Sequence, residues 1–164
     1  GAMRNATKKN SKPIRTQQMS QGTRRSQLAE YVVFESPLNM MCDSPTNYMA
    51  EQECTDFIAA IPTVWDETVA LDGKVAEYVV MARRKADTWY VGAMAGWDGR
   101  EMEIDLGFLP EGENSMTVFR DGVNAHRIAS DYRKVTMAVP SDRKMKIKMA
   151  PGGGWAAVIT RKNQ

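Results

Sequence analysis

The sequence has only two cysteines, Cys42 and Cys54, and one histidine, His126, in 164 residues. Two cysteines are too few for a disulfide scaffold, and their spacing fits no zinc site. They are expected to be buried free thiols, because free cysteine behaves as a small apolar side chain. No stretch approaches the roughly 20 apolar residues that a membrane helix needs, so no membrane partner is expected. The first 30 residues carry no apolar run of the signal-peptide kind, and Gly1-Ala2-Met3 looks like the scar of a cleaved purification tag. Residues 1–29 also contain no acid and no aromatic residue, while carrying Arg4, Lys8, Lys9, Lys12, Arg15, Arg24 and Arg25. That +7 arm sits on a body of −5, for a net charge of +2. A basic arm can bind nucleic acid. Without aromatic side chains to stack on bases it reads better as a polar loop, and no nucleic-acid partner is expected.

What remains is the composition of an ordinary globular chain, 43% apolar and 26% charged. Three textures divide it. Residues 1–23 hold only Met3, Ile14 and Met19 as larger apolar side chains, too few to offset chain entropy, and are expected to be disordered. Residues 24–63 read as helical up to Pro37. A short apolar run follows, Leu38-Asn39-Met40-Met41-Cys42, that suits a buried strand. Beyond the turn Asp43-Ser44-Pro45-Thr46, a second helical stretch has Tyr48, Met49, Phe57, Ile58 and Ile61 on one face. One apolar strand between helices suits a parallel α/β sheet, so this region is expected to be the end of a truncated α/β domain.

Residues 64–164 change period. Strand patterns run through 75–82, 89–94, 102–106, 116–119, 135–139, 145–149 and 155–159, separated by turns such as Gly96-Trp97-Asp98-Gly99 and Asp121-Gly122. Seven or eight short strands over roughly 100 residues predict a mainly β fold, an antiparallel β-sandwich of Greek-key type.

Chemistry-bearing residues are sparse. His126 has Ser130 and Asp131 nearby but lies in an inter-strand loop without a nucleophile elbow, which argues against a triad. Gly152-Gly153-Gly154 lacks the Lys-Ser/Thr of a phosphate loop and precedes a strand, so it predicts a bend or a close backbone approach at a sandwich edge. Glu101, Glu103 and Asp105 alternate along one strand and read as a solvated face, not as the paired carboxylates of a glycosidase. Catalytic residues are expected to be absent, and so is a metal set. Two positions are candidates for substrate contact. Asp43 follows the expected buried strand, and strand ends line the active site of an α/β barrel; helix capping is the competing role. Trp97 lies in a Gly-flanked turn, where its ring could stack on a sugar, whereas Trp89 and Trp155 occupy strand positions suited to the core and Trp65 precedes the strands.

Longer motifs carry a family resemblance. Met19-Ser20-Gln21-Gly22-Thr23-Arg24, Gln27-Leu28-Ala29, Tyr31-Val32-Val33-Phe34-Glu35-Ser36-Pro37-Leu38, Asp43-Ser44-Pro45 with Asn47-Tyr48, and Pro62-Thr63-Val64-Trp65-Asp66-Glu67-Thr68 resemble the end of the catalytic barrel of glycoside hydrolase family 97. Gly73 with Glu77-Tyr78-Val79-Val80, Ala82-Arg83-Arg84-Lys85, Trp89-Tyr90-Val91-Gly92-Ala93-Met94, Phe119-Arg120-Asp121-Gly122 and Ala150-Pro151-Gly152-Gly153-Gly154-Trp155-Ala156-Ala157 resemble its C-terminal domain.

The resemblance, which runs from about Met3 to the end, implies a parent built from an N-terminal β-sandwich, a (β/α)8 barrel and a C-terminal β-sandwich. Such enzymes hydrolyse α-glucosides or α-galactosides and use calcium. Their catalytic and calcium-binding carboxylates would lie upstream of this chain, so none maps onto a residue here. The implied division is 1–23 as tag scar and basic loop, 24–63 as the last barrel elements, and 64–164 as the C-terminal sandwich. The implied role is a non-catalytic accessory domain that supports the barrel and helps oligomerisation, in a periplasmic parent. A stand-alone carbohydrate-binding module, touching oligosaccharide weakly through Trp97, is the alternative. The helices of 24–63 are expected to persist only where they pack on the sandwich.

Overall fold

The apolar runs that do not alternate end up in the middle of the molecule. The computed structural model describes residues 22–41 and 44–162. Its helices are α1 (Arg24–Val33), α2 (Pro45–Ala50) and α3 (Gln52–Ala60). Its strands are β1 (Glu67–Lys74), β2 (Tyr78–Lys85), β3 (Thr88–Ala95), β4 (Arg100–Asp105), β5 (Asn114–Asp121), β6 (Tyr132–Ala138), β7 (Lys144–Met149) and β8 (Gly154–Arg161). Every pairing is antiparallel. Six strands form one sheet in the order β1-β2-β3-β8-β5-β6, and β4 pairs with β7 in a separate ribbon. The last strand returns between β3 and β5 and not beside its predecessor, the kind of return a Greek key makes.

The expected mainly β, antiparallel domain is present, with one change in its layering. The second sheet has only two strands, and the other face of the large sheet is covered by α1 and α3. Side chains alternate accordingly. Trp89, Val91 and Ala93 of β3, with Trp155, Ala157 and Ile159 of β8, face the ribbon and pack with Ile104, Ile147 and Met149. Tyr90 of β3, Phe119 of β5 and Ala156 of β8 face the helices and pack with Leu28, Val32, Phe57 and Ile61. Strands buried on both faces need apolar residues at consecutive positions, which explains Trp155-Ala156-Ala157-Val158-Ile159. The ribbon is half exposed and alternates. Glu101, Glu103 and Asp105 lie opposite Lys148, Lys146 and Lys144 in the register, so the expected solvated acidic face is a ladder of opposite charges.

Three expectations differ from the structure in whole or in part. The Leu38–Cys42 run is not a buried strand where it is described: Leu38 is 77% exposed, Met40 and Met41 are also exposed, and Cys42 lies outside the described residues. A lone strand needs a parallel neighbour, and none is present among the described residues. The strand pattern placed at 75–82 starts three residues before the strand it marks, β2, and misses β1. Val75 is a fully exposed turn residue, and a whole strand, β1, precedes it. The Gly152–Gly154 run does make a close backbone approach, yet it leads into β8 in the middle of the large sheet and not at an edge. Residues 1–21, which include most of the basic arm, lie outside the described residues. Among the described residues no helix is long and apolar enough to cross a membrane.

Candidate functional site

The densest polar arrangement lies where α1 meets the sheet. Thr23 caps α1 by accepting from the Ser26 amide at 3.2 Å. The amide of Thr23 donates to the Gly152 carbonyl at 2.9 Å, and that of Arg24 to the Ala129 carbonyl at 2.9 Å. The start of the helix is thereby fixed to two loops of the β domain. Gly154 permits this approach: a Cβ there would lie 2.3 Å from the Ser26 nitrogen, inside any van der Waals distance. At the far end of α1, a Cβ on Gly92 would lie 2.9 Å from the Val32 Cβ.

Asp121 ties the glycine loop to β5. Its Oδ2 accepts from the Ala150 amide at 3.0 Å and the Gly154 amide at 3.1 Å. Burial pushes its carboxyl above the usual aspartate value, opposed by hydrogen bonding from Thr23 and the two amides and by the Arg25 charge. The motifs Phe119-Arg120-Asp121-Gly122 and Ala150–Ala157 therefore meet at one carboxylate, with Asp121 and Ala150 separated by 29 residues in sequence.

Two arginines complete the seam. Arg25 is 1% exposed, with its guanidinium 3.8 Å from the Tyr132 ring centroid and 3.4 Å from the Cys54 Sγ. The Tyr132 hydroxyl donates to Glu53 at 2.9 Å, so α3 is linked to β6. Burial, then hydrogen bonding to Cys54 and Glu53, pushes the Tyr132 phenol far above its ordinary value. Arg83 is buried too, donating to the Val33 carbonyl at 3.0 Å, Glu35 at 3.2 Å and Thr68 at 3.3 Å. It satisfies the last turn of α1 and holds it to β2 and β1. These arginines pack a helix onto a sheet; they present no charge to a substrate.

A groove of about 1010 Å³ runs between the ribbon and the end of the large sheet, lined by Glu101, Glu103, Arg120, Asp121, His126 and Arg133 among others. It lacks an acid–base pair. The Lys148 ammonium holds the Glu101 carboxyl below the usual range, the wrong direction for a general acid. Asp121 is raised but is already bonded to two backbone amides. His126 is exposed, and Asp131, the acid near it in sequence, instead accepts from the Asn124 amide at 2.7 Å. No group of three His, Cys, Asp or Glu side chains that could hold a metal ion forms among the described residues.

Of the two sequence-predicted contact residues, Asp43 lies outside the described residues. Trp97 is half-buried in the loop between β3 and β4 and does not line the groove. The tryptophans do not assemble into a platform: Trp89 packs on Phe108, Trp65 meets Tyr90 edge-on, and Trp155 is buried in the core. Sequence reasoning missed Arg25, which it counted with the solvent-facing arm, and Arg83. The only available signal was that each falls on an apolar helix or strand pattern, where a charge needs a partner.

Several large apolar side chains are open to solvent, beginning where α1 ends. Phe34, Leu38, Met40, Met41, Met49 and Val64 are all exposed, and no residue of α2 is buried. Large exposed apolar side chains are suited to contact with another surface where they adjoin.

The family model described as "Glycosyl-hydrolase 97 C-terminal, oligomerisation" matches residues 64–160. A retaining alpha-galactosidase of Bacteroides thetaiotaomicron is 56% identical over 159 residues, which are 97% of this chain and 24% of that protein. A probable retaining alpha-galactosidase of Streptomyces bingchenggensis is 26% identical over 92 residues, 56% of this chain and 14% of the relative. Among solved structures, a Glycoside Hydrolase Family 97 enzyme from Pseudoalteromonas sp. strain K8 in complex with panose superimposes with a TM-score of 0.82 at 34% identity, covering 87% of this chain and 23% of that one. A beta-arabinopyranosidase superimposes with a TM-score of 0.73 at 27% identity, covering 85% and 22%. The chain thus spans about a quarter or less of the length of these relatives.

Proposed function

Because the chain belongs to the glycosyl-hydrolase 97 C-terminal family, we propose that it is a non-catalytic accessory domain of a larger α-glycosidase, which supports the catalytic barrel and brings copies of the enzyme together. The observation that carries this reading is the seam: polar residues that would be conspicuous in an active site are spent on holding α1 to the sheet. The surface we assign to the barrel is the one carrying Phe34, Leu38, Met41 and Met49, which are exposed among the described residues.

The parent's bond is an α-galactosidic one in our reading, supported by 56% identity to a retaining alpha-galactosidase. That relative also favours a retaining outcome over an inverting one. Calcium, which the family resemblance implies, would be held by the rest of the enzyme, since the described donors do not converge on an ion. The family resemblance is the only support for a periplasmic parent, and we propose that compartment on it alone.

Two assays on the purified chain test the reading. Chromogenic α-galactoside and α-glucoside should show no turnover above buffer, with or without calcium. Sedimentation equilibrium should show self-association. Calcium-dependent turnover that persists after contaminating enzyme is excluded would overturn the non-catalytic assignment, and a strictly monomeric chain would overturn the assembly role.

A further inference from the structure

The two sheets leave four strand edges without a partner among the described residues: β1 and β6 of the large sheet, and the outer sides of β4 and β7. An open edge is a template for another strand, and proteins blunt such edges with bulges or charges. Three of the four are blunted. β1 carries a bulge between Ala70 and Asp72, with Asp72 accepting from Gly73 and Tyr78. β4 presents Arg100, Glu101, Glu103 and Asp105, and β7 presents Lys144, Lys146 and Lys148.

β6 is different. Its register with β5 is unbroken from Tyr132 to Ala138. It contains no proline, and its charges, Arg133 and Lys134, sit at one end. The five residues Val135-Thr136-Met137-Ala138-Val139 are uncharged and largely of the kind that favours strands. Thr136, Met137 and Ala138 are exposed, Met137 at 39%. Left open, such an edge is a template for pairing with another strand.

We infer that the cover is a second copy of this chain, its β6 pairing antiparallel with β6 across a two-fold axis at Val135. This rests on the self-association reading above, and the family's description as an oligomerisation domain is what selects a second copy over other strands. A two-fold contact uses the same patch on both copies, which a single regular edge supplies. The charge pattern selects the register. An axis at Val135 sets Arg133 opposite Met137 and Lys134 opposite Thr136 of the other copy. An axis between Arg133 and Lys134 would set the two cations against each other. The result is one continuous sheet through both copies, with both helical layers on one side and both ribbons on the other.

The axis predicts opposite outcomes for two substitutions at one exposed position. Met137→Arg places a cation opposite Arg133 twice per dimer, whereas Met137→Glu places an anion there. Sedimentation equilibrium of the wild-type chain and both variants, with circular dichroism as a check on folding, should show the dimer weakened about 5- to 30-fold by Met137→Arg. Met137→Glu should leave it unchanged or tighter. An associating wild type unaffected by either variant overturns the β6 assignment and leaves the self-association reading standing. Equal weakening by both overturns the pairing at Val135. A monomeric wild type overturns both readings together.

Discussion

Helices α1 and α2 lie within about a dozen residues of each other in sequence and have opposite relations to the rest of the molecule. In α1, Arg25, Ser26, Leu28, Ala29, Val32 and Val33 are buried, the first turn is bonded to two loops, and the last is held by Arg83. In α2 nothing is buried, although its cap is well formed: the Ser44 hydroxyl accepts from the Asn47 amide at 3.3 Å and Pro45 opens the helix. Local helix signals are equally good in both. What separates them is tertiary burial, which supplies most of a short helix's stability. α1 is therefore a layer of the β domain, and α2 is a helix that the described residues leave exposed.

The comparison can be broken at several points. The largest effect is expected from Gly154→Ala, whose methyl would meet the Ser26 backbone 2.3 Å away; thermal or urea unfolding should show a loss of about 3 kcal/mol or more. Next is Leu28→Ala, which empties a fully buried site under α1 and should cost about 3 kcal/mol, while Met49→Ala on α2 should stay within about 0.5 kcal/mol. Similar costs at the two positions would erase the distinction. Asp121→Ala leaves the Ala150 and Gly154 amides without their acceptor and should cost about 2 kcal/mol by urea unfolding.

The smallest effect concerns pH. The Tyr132 hydroxyl, then Lys134, holds the Glu53 carboxyl below its ordinary value. A depressed carboxyl stabilises the fold above its unfolded pKa, and that contribution disappears as pH falls through the folded value. Glu53 is largely solvent-exposed, so the contribution should be at most about 0.5 kcal/mol after screening. Comparing the acid limb of unfolding for wild type and Glu53→Gln measures it, and the variant's limb should be shallower.

Most of the β domain was legible because central and half-exposed strands write different patterns. Trp155–Ile159 is continuously apolar, and Lys144–Met149 alternates. β1 was not legible, because its bulge between Ala70 and Asp72 shifts the alternation partway along. The Leu38–Met41 run misled because apolar residues are equally expected in a buried strand and in a surface that another domain covers. The seam was half legible. The glycine run announced a close approach, but not that Ser26 was the neighbour. Arg25 gave only the sign that it shares a helix face with Leu28 and Val32, because its partners, Cys54 and Tyr132, come from sequence 29 or more residues away. As for the contact residues, Asp43 falls outside the described segments, and Trp97 sits in its predicted turn without other tryptophans beside it.

The central contrast is that α1 is an integral layer of the β domain while no residue of α2 is buried. Amide hydrogen exchange on the purified chain separates the two directly. The account predicts that the amides of residues 28–33 exchange as slowly as those of β3 and β8, and that those of 48–50 exchange near the rate of unstructured chain. Fast exchange in both helices, or protection of α2 equal to that of α1, would contradict it.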